Sequence, residues 1–165
     1  MVPVKDLSEN INILWENAEY IFDRINRTIE GISEKEMNWK PTEASNSIGW
    51  ILNHLARLSN ISIPRIIKGD PEYMPEGWPE DYREKQHTLE KMMEDINKGK
   101  KNVIEGIRKL SLSDLEEEIP LWGGTRKRKT GLFAYLGELV HHNGQIAYLK
   151  GTINRLKEKD PEFLK

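Results

Sequence analysis

Hydrophobic residues recur every three or four positions along four long stretches of the chain, which is the spacing of one face of an α-helix. The first stretch spans about residues 7–31, and the second spans residues 47–68. The third covers about residues 83–110, and the last extends from near Thr130, a suitable N-cap, to about residue 157. The pattern predicts an all-α protein built as a four-helix bundle.

Glycine, proline and small polar residues separate the predicted helices. Gly31 suits the position just after the first helix, and "SEKE" at residues 33–36 predicts a capping box. The stretch "GDPEYMPEGWPEDY", residues 69–82, contains three prolines and two glycines and predicts a long irregular connection between helices two and three. It is either a lid over the bundle mouth or a loop that packs its aromatic side chains on helix ends. "EIPLWGGTRKRKT" predicts a small hairpin before the last helix.

The charge balance narrows the classes of partner. The 165 residues contain 25 Lys and Arg against 27 Asp and Glu, which gives a net charge of -2. Such a balance offers no general attraction to nucleic acid or to anionic lipid. We interpret the basic run "TRKRKT" as a solvated hairpin strand. We expect one domain over residues 1–165, with neither nucleic acid nor membrane as a partner.

The absence of cysteine limits the chemistry. It excludes disulfides, thiolate nucleophiles from the chain and cysteine-based zinc sites, and it favours a reducing cytoplasm. The N-terminal "MVPVKDLSEN" has no apolar signal core, and no apolar run approaches membrane-spanning length. We therefore expect a cytoplasmic protein, and any sulfur nucleophile must come from a small molecule.

The stretch "ELVHHNGQIAYLKG", residues 138–151, places a carboxylate and two adjacent histidines in the last predicted helix. Helical geometry puts Glu138 and His142, four positions apart, on one face. His141 lies three positions from Glu138 and is the rival candidate. The helical neighbours of His142 are mostly apolar, whereas those of His141 are small or polar. We therefore expect His142 to point inward.

His54 in the second predicted helix also borders an apolar face, with Ile51 and Leu58 at neighbouring helical positions. A bundle brings side chains from facing helices together in its interior. Two imidazoles and one carboxylate would leave open positions on a divalent ion, as a catalytic ion requires. On spacing alone, ordinary core histidines are the commoner explanation.

Two stretches resemble signature regions of the DinB/YfiT-like family. "WKPTEASNSIGWILNHLARL", residues 39–58, is similar to the family's W-x-P, small-residue loop and S-I-x-x-x-x-x-H-L pattern, and "HNGQI" to its H-x-G-Q-I pattern. The resemblance implies that His54 and His142 are metal ligands. Glu138 stands where the family has its other histidine. Glutamate would give either a third, harder ligand or a site of lower affinity.

The resemblance also implies the function to expect. Members of the family that have an assigned activity are mostly thiol-dependent transferases or isomerases. We therefore expect a divalent metal, zinc or nickel before manganese or iron, a small-molecule thiol as cofactor and a small-molecule substrate. The alternatives are a metal-dependent hydrolase and a non-catalytic bundle that acts as a binding or stress-response module. A homodimer is the expected assembly, since dimers are common among soluble oligomers and frequent in this family.

Overall fold

In the computed structural model, which describes the backbone of residues 4–164 and the side chains of residues 10–164, four long helical stretches pack side by side. They are formed by α1, by α3 with α4, by α5 and by α7, and this arrangement confirms the predicted all-α fold. The helices are α1 (Val4–Ile29), α2 (Glu34–Asn38), α3 (Ile48–Arg57), α4 (Ile63–Lys68), α5 (Leu89–Arg108), α6 (Leu112–Glu116) and α7 (Arg128–Lys159).

A π-helical turn, Leu58–Ser62, joins α3 to α4, so the second predicted helix is one continuous helical stretch. Inside the turn, the side chains of Ser59 and Asn60 donate hydrogen bonds to backbone carbonyls one turn earlier. The stretch ends at Gly69, whose φ of 67° lies in the left-handed region that glycine adopts without strain.

Two predicted helix starts were wrong. The third long helix begins at Leu89 and not near residue 83, because Thr88 is its N-cap and accepts a hydrogen bond from the backbone N–H of Lys91. The last long helix begins at Arg128, so Thr130 lies inside it and is not its N-cap. The preceding β-strand ends at Lys127, directly before this helix, and no side chain caps the start of the helix.

The predicted hairpin is present as β1 (Glu118–Leu121) paired antiparallel with β2 (Gly124–Lys127). Its two-residue turn consists of Trp122 and Gly123, both with positive φ, 53° and 73°. Such a turn matches the right-handed twist of paired strands.

The basic run that follows the hairpin turn is less solvated than the sequence analysis expected. Its first part forms the exposed strand β2, as predicted, but Arg128 is only 5% exposed. Arg128 donates hydrogen bonds to the carbonyl oxygens of Ile66 and Asp114 and pairs with Glu117 at 2.8 Å. The expectation of a fully solvated run was therefore wrong at Arg128, which anchors the start of α7.

The apolar faces of the long helices meet in one core. α1 packs against α5 and α7, and α3 packs against the same two helices. Full burial of a large apolar side chain contributes about 1.5–3 kcal/mol, so this core dominates the stability of the bundle. The contact between α3 and α7 also places the two helices that carry the candidate site face to face. Side chains at the centre of the core include Phe22, Ile25, Ile51, Leu52, Leu55, Ile96, Ile107, Leu139 and Ile146.

The connection from residue 69 to residue 88 packs against the bundle through Tyr82. The ring of Tyr82 lies between Trp78 and His87, with ring centroids 4.4 and 4.0 Å away. Its hydroxyl donates a 2.7 Å hydrogen bond to the buried carboxylate of Asp95, and its carbonyl accepts one from Asn53 at 3.0 Å. Of the two predicted alternatives, the structure therefore has the loop that packs its aromatic side chains onto the helices.

Within the part of the chain described, none of the helices has the length and apolar character needed to cross a membrane.

Candidate metal centre

His54 of α3 and His142 of α7 meet at the contact between the two helices. Their ring centroids are 4.6 Å apart and the rings are nearly perpendicular, at 77°. His54 is half-buried, because Trp50 stacks on its ring with a centroid separation of 5.8 Å. The structure thus brings together two of the three predicted site residues directly.

The orientation predicted for the adjacent histidines is confirmed. His142 is only 8% exposed, whereas His141 points to solvent. The difference follows from helix geometry, since the positions three and four residues away from His142 include the buried Leu139 and Ile146.

Gln145 determines which nitrogen of His142 is free. Its side-chain oxygen lies 2.8 Å from Nδ1 of His142, and its side-chain nitrogen lies 3.1 Å from Nε2 of His141. An amide oxygen only accepts, so in this arrangement His142 carries its hydrogen on Nδ1 and keeps a lone pair on Nε2. Outer hydrogen bonds of this kind fix the tautomer of metal-binding histidines.

Glu138 lies at the rim of the site. Its Oε2 atom is 3.5 Å from Nε2 of His142, and its side chain is 54% exposed. The carboxylate therefore faces the free nitrogen of His142, as the four-residue spacing predicted, while it remains accessible to solvent.

The surroundings of His54 keep its ring neutral. Burial first, and then electrostatic interactions with His142, Arg57 and Arg83, lower the pKa of His54 to about 4. The Nη2 atom of Arg57 lies 3.3 Å from Nδ1 of His54, and Nε of Arg57 donates to Oδ1 of Asn53 at 3.2 Å. A neutral imidazole is the form that binds a metal ion.

The donor chemistry of the three residues fits a divalent ion, since imidazole nitrogens and carboxylate oxygens are ordinary ligands of zinc, nickel, manganese and iron. Across residues 10–164, however, no three His, Cys, Asp or Glu side chains lie where they could jointly hold an ion. Arg57 also occupies a ring nitrogen of His54. Its guanidinium only donates, so Nδ1 of His54 accepts from it and the ring hydrogen lies on Nε2. Binding an ion through either nitrogen therefore requires Arg57 to release His54.

The sequence analysis did not include Arg57 in the site. A signal was present, since Arg57 lies three positions after His54 and so shares its helix face. Arg83, whose charge also acts on His54, comes from the irregular segment before α5. No periodic pattern connects that segment with α3.

Fold and site together define a class of protein: an all-α bundle in which histidines from two facing helices meet beside a carboxylate. The chain belongs to the DinB superfamily, whose family model matches residues 19–146. The matched range contains His54, Glu138 and His142. The family resemblance drawn from the sequence is confirmed.

Two solved structures are similar to this chain. A DinB-like protein from Bacillus subtilis aligns with a TM-score of 0.66 and 16% sequence identity, over 84% of this chain and 90% of that chain. A conserved protein from Enterococcus faecalis aligns with a TM-score of 0.63 and 16% identity, over 84% of this chain and 93% of that chain. At this identity the likeness shows the fold alone. No curated protein matches the sequence.

Proposed function

We propose that this protein is a divalent-metal-dependent enzyme, a thiol-dependent S-transferase or isomerase that acts on a small molecule, with His54, Glu138 and His142 as the residues that would hold the ion. The observation that carries the proposal is the meeting of two imidazoles from α3 and α7, with ring centroids 4.6 Å apart. Membership of the DinB superfamily supports it, since the two histidines lie in the stretches that resemble the family's signature regions.

Each residue has a separate task in this proposal. His142 offers Nε2, because Gln145 holds the hydrogen on the other ring nitrogen. Glu138 offers a negatively charged oxygen 3.5 Å from that nitrogen, and His54 offers a neutral ring from the facing helix. A divalent ion held by these groups would lower the pKa of a thiol or of water and so provide a nucleophile at neutral pH.

A cavity beside the site has room for a small-molecule substrate. It has a volume of about 530 Å³, and its walls include Pro41, His141, Gln145 and the exposed ring of Tyr148. This volume lies within the range of about 300–1,000 Å³ that is usual for ligand pockets. Gln145 lines this cavity and also contacts Nδ1 of His142. A ligand in the cavity would therefore be separated from the candidate metal site by one side chain.

A metal-dependent hydrolase is the second candidate, and Glu138 is the observation that favours it. A carboxylate lowers the net positive charge of the site compared with a third histidine. Oxygen ligands also favour harder ions, which bind water in preference to sulfur.

A thiol titration of the cobalt-substituted protein separates the two candidates. We expect 2-mercaptoethanol to change the visible absorption of the wild type, because sulfur ligation gives cobalt an intense and distinctive spectrum. The control variant is Arg24→Gln, at an exposed position of α1, which should respond like the wild type, whereas His54→Gln should not. A wild-type spectrum that thiol leaves unchanged would contradict the thiol-transferase proposal and favour the hydrolase or a non-catalytic module.

A further inference from the structure

A cavity of about 520 Å³ lies where the tip of the β-hairpin meets α4 and α7. Its walls include Trp122 of the hairpin turn, Tyr135 of α7 and Arg65 of α4. The volume is within the range of about 300–1,000 Å³ that is usual for small-molecule sites. The proposed metal ligands of α3 and α7 do not line this cavity, so it is separate from the candidate metal centre.

The hairpin packs closely on the helices at this point. Gly131 of α7 makes the approach possible, because a Cβ atom there would lie 2.8 Å from Cδ2 of Leu121 and 3.1 Å from Cγ2 of Ile66. Arg128 at the start of α7 also donates a hydrogen bond to the carbonyl oxygen of Ile66, which ties α7 to α4. The packing of Leu121 therefore fixes the position of the next residue, Trp122.

Trp122 has two features that a hairpin turn does not require. Its φ of 53° lies in the left-handed region, which is disfavoured for bulky residues, and turns of this type usually have Asn, Asp or Gly there. Its large aromatic side chain is also 54% exposed. Disfavoured backbone conformations cluster at functional sites. A ligand that covers the ring would account for a tryptophan at this position.

The ring of Trp122 is nearly parallel to the ring of Tyr135. The angle between the two planes is 13°, and the ring centroids are 6.4 Å apart. Because both rings line the cavity, a flat ligand that is parallel to one ring is also parallel to the other. Stacked aromatic rings attract each other beyond the effect of the area that they bury. The two rings therefore favour a planar aromatic ligand over a saturated one.

Arg65 gives the cavity a positive charge. Among the described residues that line the cavity, it is the one that carries a charge. Its Nε atom donates a 2.8 Å hydrogen bond to the carbonyl oxygen of Tyr73, which holds the partly buried side chain in place. Across residues 10–164, no acidic side chain lies within ion-pair distance of Arg65. Guanidinium groups bind carboxylates in planar, two-point contacts, so Arg65 favours a ligand with a carboxylate.

We infer that Trp122, Tyr135 and Arg65 form a binding site for a small aromatic carboxylic acid. The ring of the acid stacks on the two aromatic side chains, and its carboxylate pairs with the guanidinium. Binding buries the exposed ring of Trp122, which offsets the disfavoured backbone conformation of the turn. The site requires no metal ion and is therefore independent of the proposed reaction.

Three probes test the chemistry of the ligand on the full chain without added metal ion. Phenylacetate has a flat ring and a carboxylate, phenylacetamide has the same ring without the charge, and cyclohexylacetate has the charge on a saturated ring. Two-dimensional NMR follows the backbone amide signals of Gly123 and Gly124, which line the cavity. We expect phenylacetate to shift these signals saturably. Phenylacetamide should bind about tenfold more weakly, and cyclohexylacetate several-fold more weakly.

Variants separate the contribution of the ring from that of the guanidinium. Trp122→Asn places a residue suited to positive φ in the turn, so it should lose phenylacetate binding while its melting temperature is unchanged or higher. Trp122→Phe keeps an aromatic ring and should retain the binding. Arg65→Gln should weaken phenylacetate binding about tenfold and leave phenylacetamide binding unchanged. Arg24→Gln, at an exposed position of α1, is the control and should bind phenylacetate like the wild type.

The absence of a saturable phenylacetate shift at Gly123 and Gly124 in the wild type would overturn the inference. Equal phenylacetate affinity in the wild type and in folded Trp122→Asn or Arg65→Gln would overturn it too, as would equal binding of phenylacetamide or cyclohexylacetate. The dispersion of the NMR spectrum shows whether each variant is folded. Because the proposed metal ligands do not line the cavity, such a failure leaves the proposed metal centre standing.

Discussion

His142 is the residue on which the candidate site depends, because its two ring nitrogens have different partners. Nδ1 faces the amide oxygen of Gln145 at 2.8 Å, and Nε2 faces the carboxylate of Glu138 at 3.5 Å. His141 differs from it by one helical position and lies in solvent. A single step of about 100° around α7 therefore separates a candidate ligand from a surface side chain.

Glu138 is the residue where this chain departs from the family pattern, and its replacement gives the first prediction. Glu138→His should raise the affinity for zinc about tenfold relative to manganese, since a nitrogen donor replaces a harder oxygen donor. The measurement is competition with a chelator of known affinity for each ion. Glu138→Gln is the control and should lose affinity for both ions. An unchanged preference between zinc and manganese in Glu138→His would show that this position does not face the ion.

Among the elements, the π-helical turn and α5 approach each other unusually closely. Gly99 of α5 makes this possible, because a Cβ atom there would lie 2.3 Å from Cβ of Ser59 and 2.9 Å from the side-chain nitrogen of Asn60. Asn60 donates hydrogen bonds both to the carbonyl of Ala56 and, across the contact, to that of Asp95, each at 2.8 Å. Packing therefore requires a glycine at this position of α5.

The second prediction follows from this contact. Gly99→Ala should lower the free energy of unfolding by about 1–3 kcal/mol, the usual cost of forcing an extra methyl group into a packed interior. Urea denaturation measures the loss. The matched control is Gly137→Ala in α7, where a Cβ atom would meet nothing within 4 Å. That variant should gain about 0.5–1 kcal/mol, because alanine favours a helix interior over glycine. A stable Gly99→Ala protein would contradict the close approach.

The third prediction concerns Glu36, which ties α2 to α7. Glu36 completes the predicted capping box with Ser33 and accepts a 2.9 Å hydrogen bond from Lys157. Burial raises the pKa of Glu36, but the hydrogen bonds from Lys157 and Ser33 outweigh it and hold the pKa at about 2, below the ordinary 4.5. The stabilisation that the ionised Glu36 gives the folded protein is therefore complete above pH 4.5 and is lost as the pH falls from about 4.5 through about 2.

Lys157 is 41% exposed, so solvent screens its interaction with Glu36. We therefore expect the charged form of Glu36 to contribute about 1–2 kcal/mol to the free energy of unfolding. Urea denaturation of wild type and Glu36→Gln over this pH range measures it. The variant should be less stable than the wild type at pH 6, and the difference should shrink towards pH 2. A constant difference across the range would show that Glu36 is not charged in the folded protein.

Across the whole molecule, the long helices were predictable because helical periodicity is a local property of the sequence. The starts of two long helices were predicted wrongly, because hydrophobic periodicity does not show at which residue a helix begins. The cap at Thr88 determines the start of α5, and the direct passage from β2 into α7 determines the start of α7. His54 and His142 were found because each borders an apolar face and lies in a family motif. The position of Arg83 was not predictable, since it depends on an irregular segment that Tyr82 anchors to Asp95.

The fourth prediction concerns assembly. We expect a homodimer, with a mass in solution of twice the 19.2 kDa of one chain. Several large side chains that are about half or more exposed, including Ile13, Phe133 and Tyr148, provide apolar surface for association. Light scattering over a wide range of protein concentration measures the mass. A mass of one chain at every concentration would contradict the prediction.

The most direct test of the metal centre is elemental analysis of protein purified without a metal-affinity tag. The proposal predicts close to one divalent ion per chain in the wild type and in His141→Ala, whose ring lies in solvent. It predicts little metal in His54→Ala and in His142→Ala, each of which removes one of the two facing imidazoles. Equal metal content in the wild type and His54→Ala, or loss of metal only in His141→Ala, would contradict the assignment of His54 and His142 as ligands.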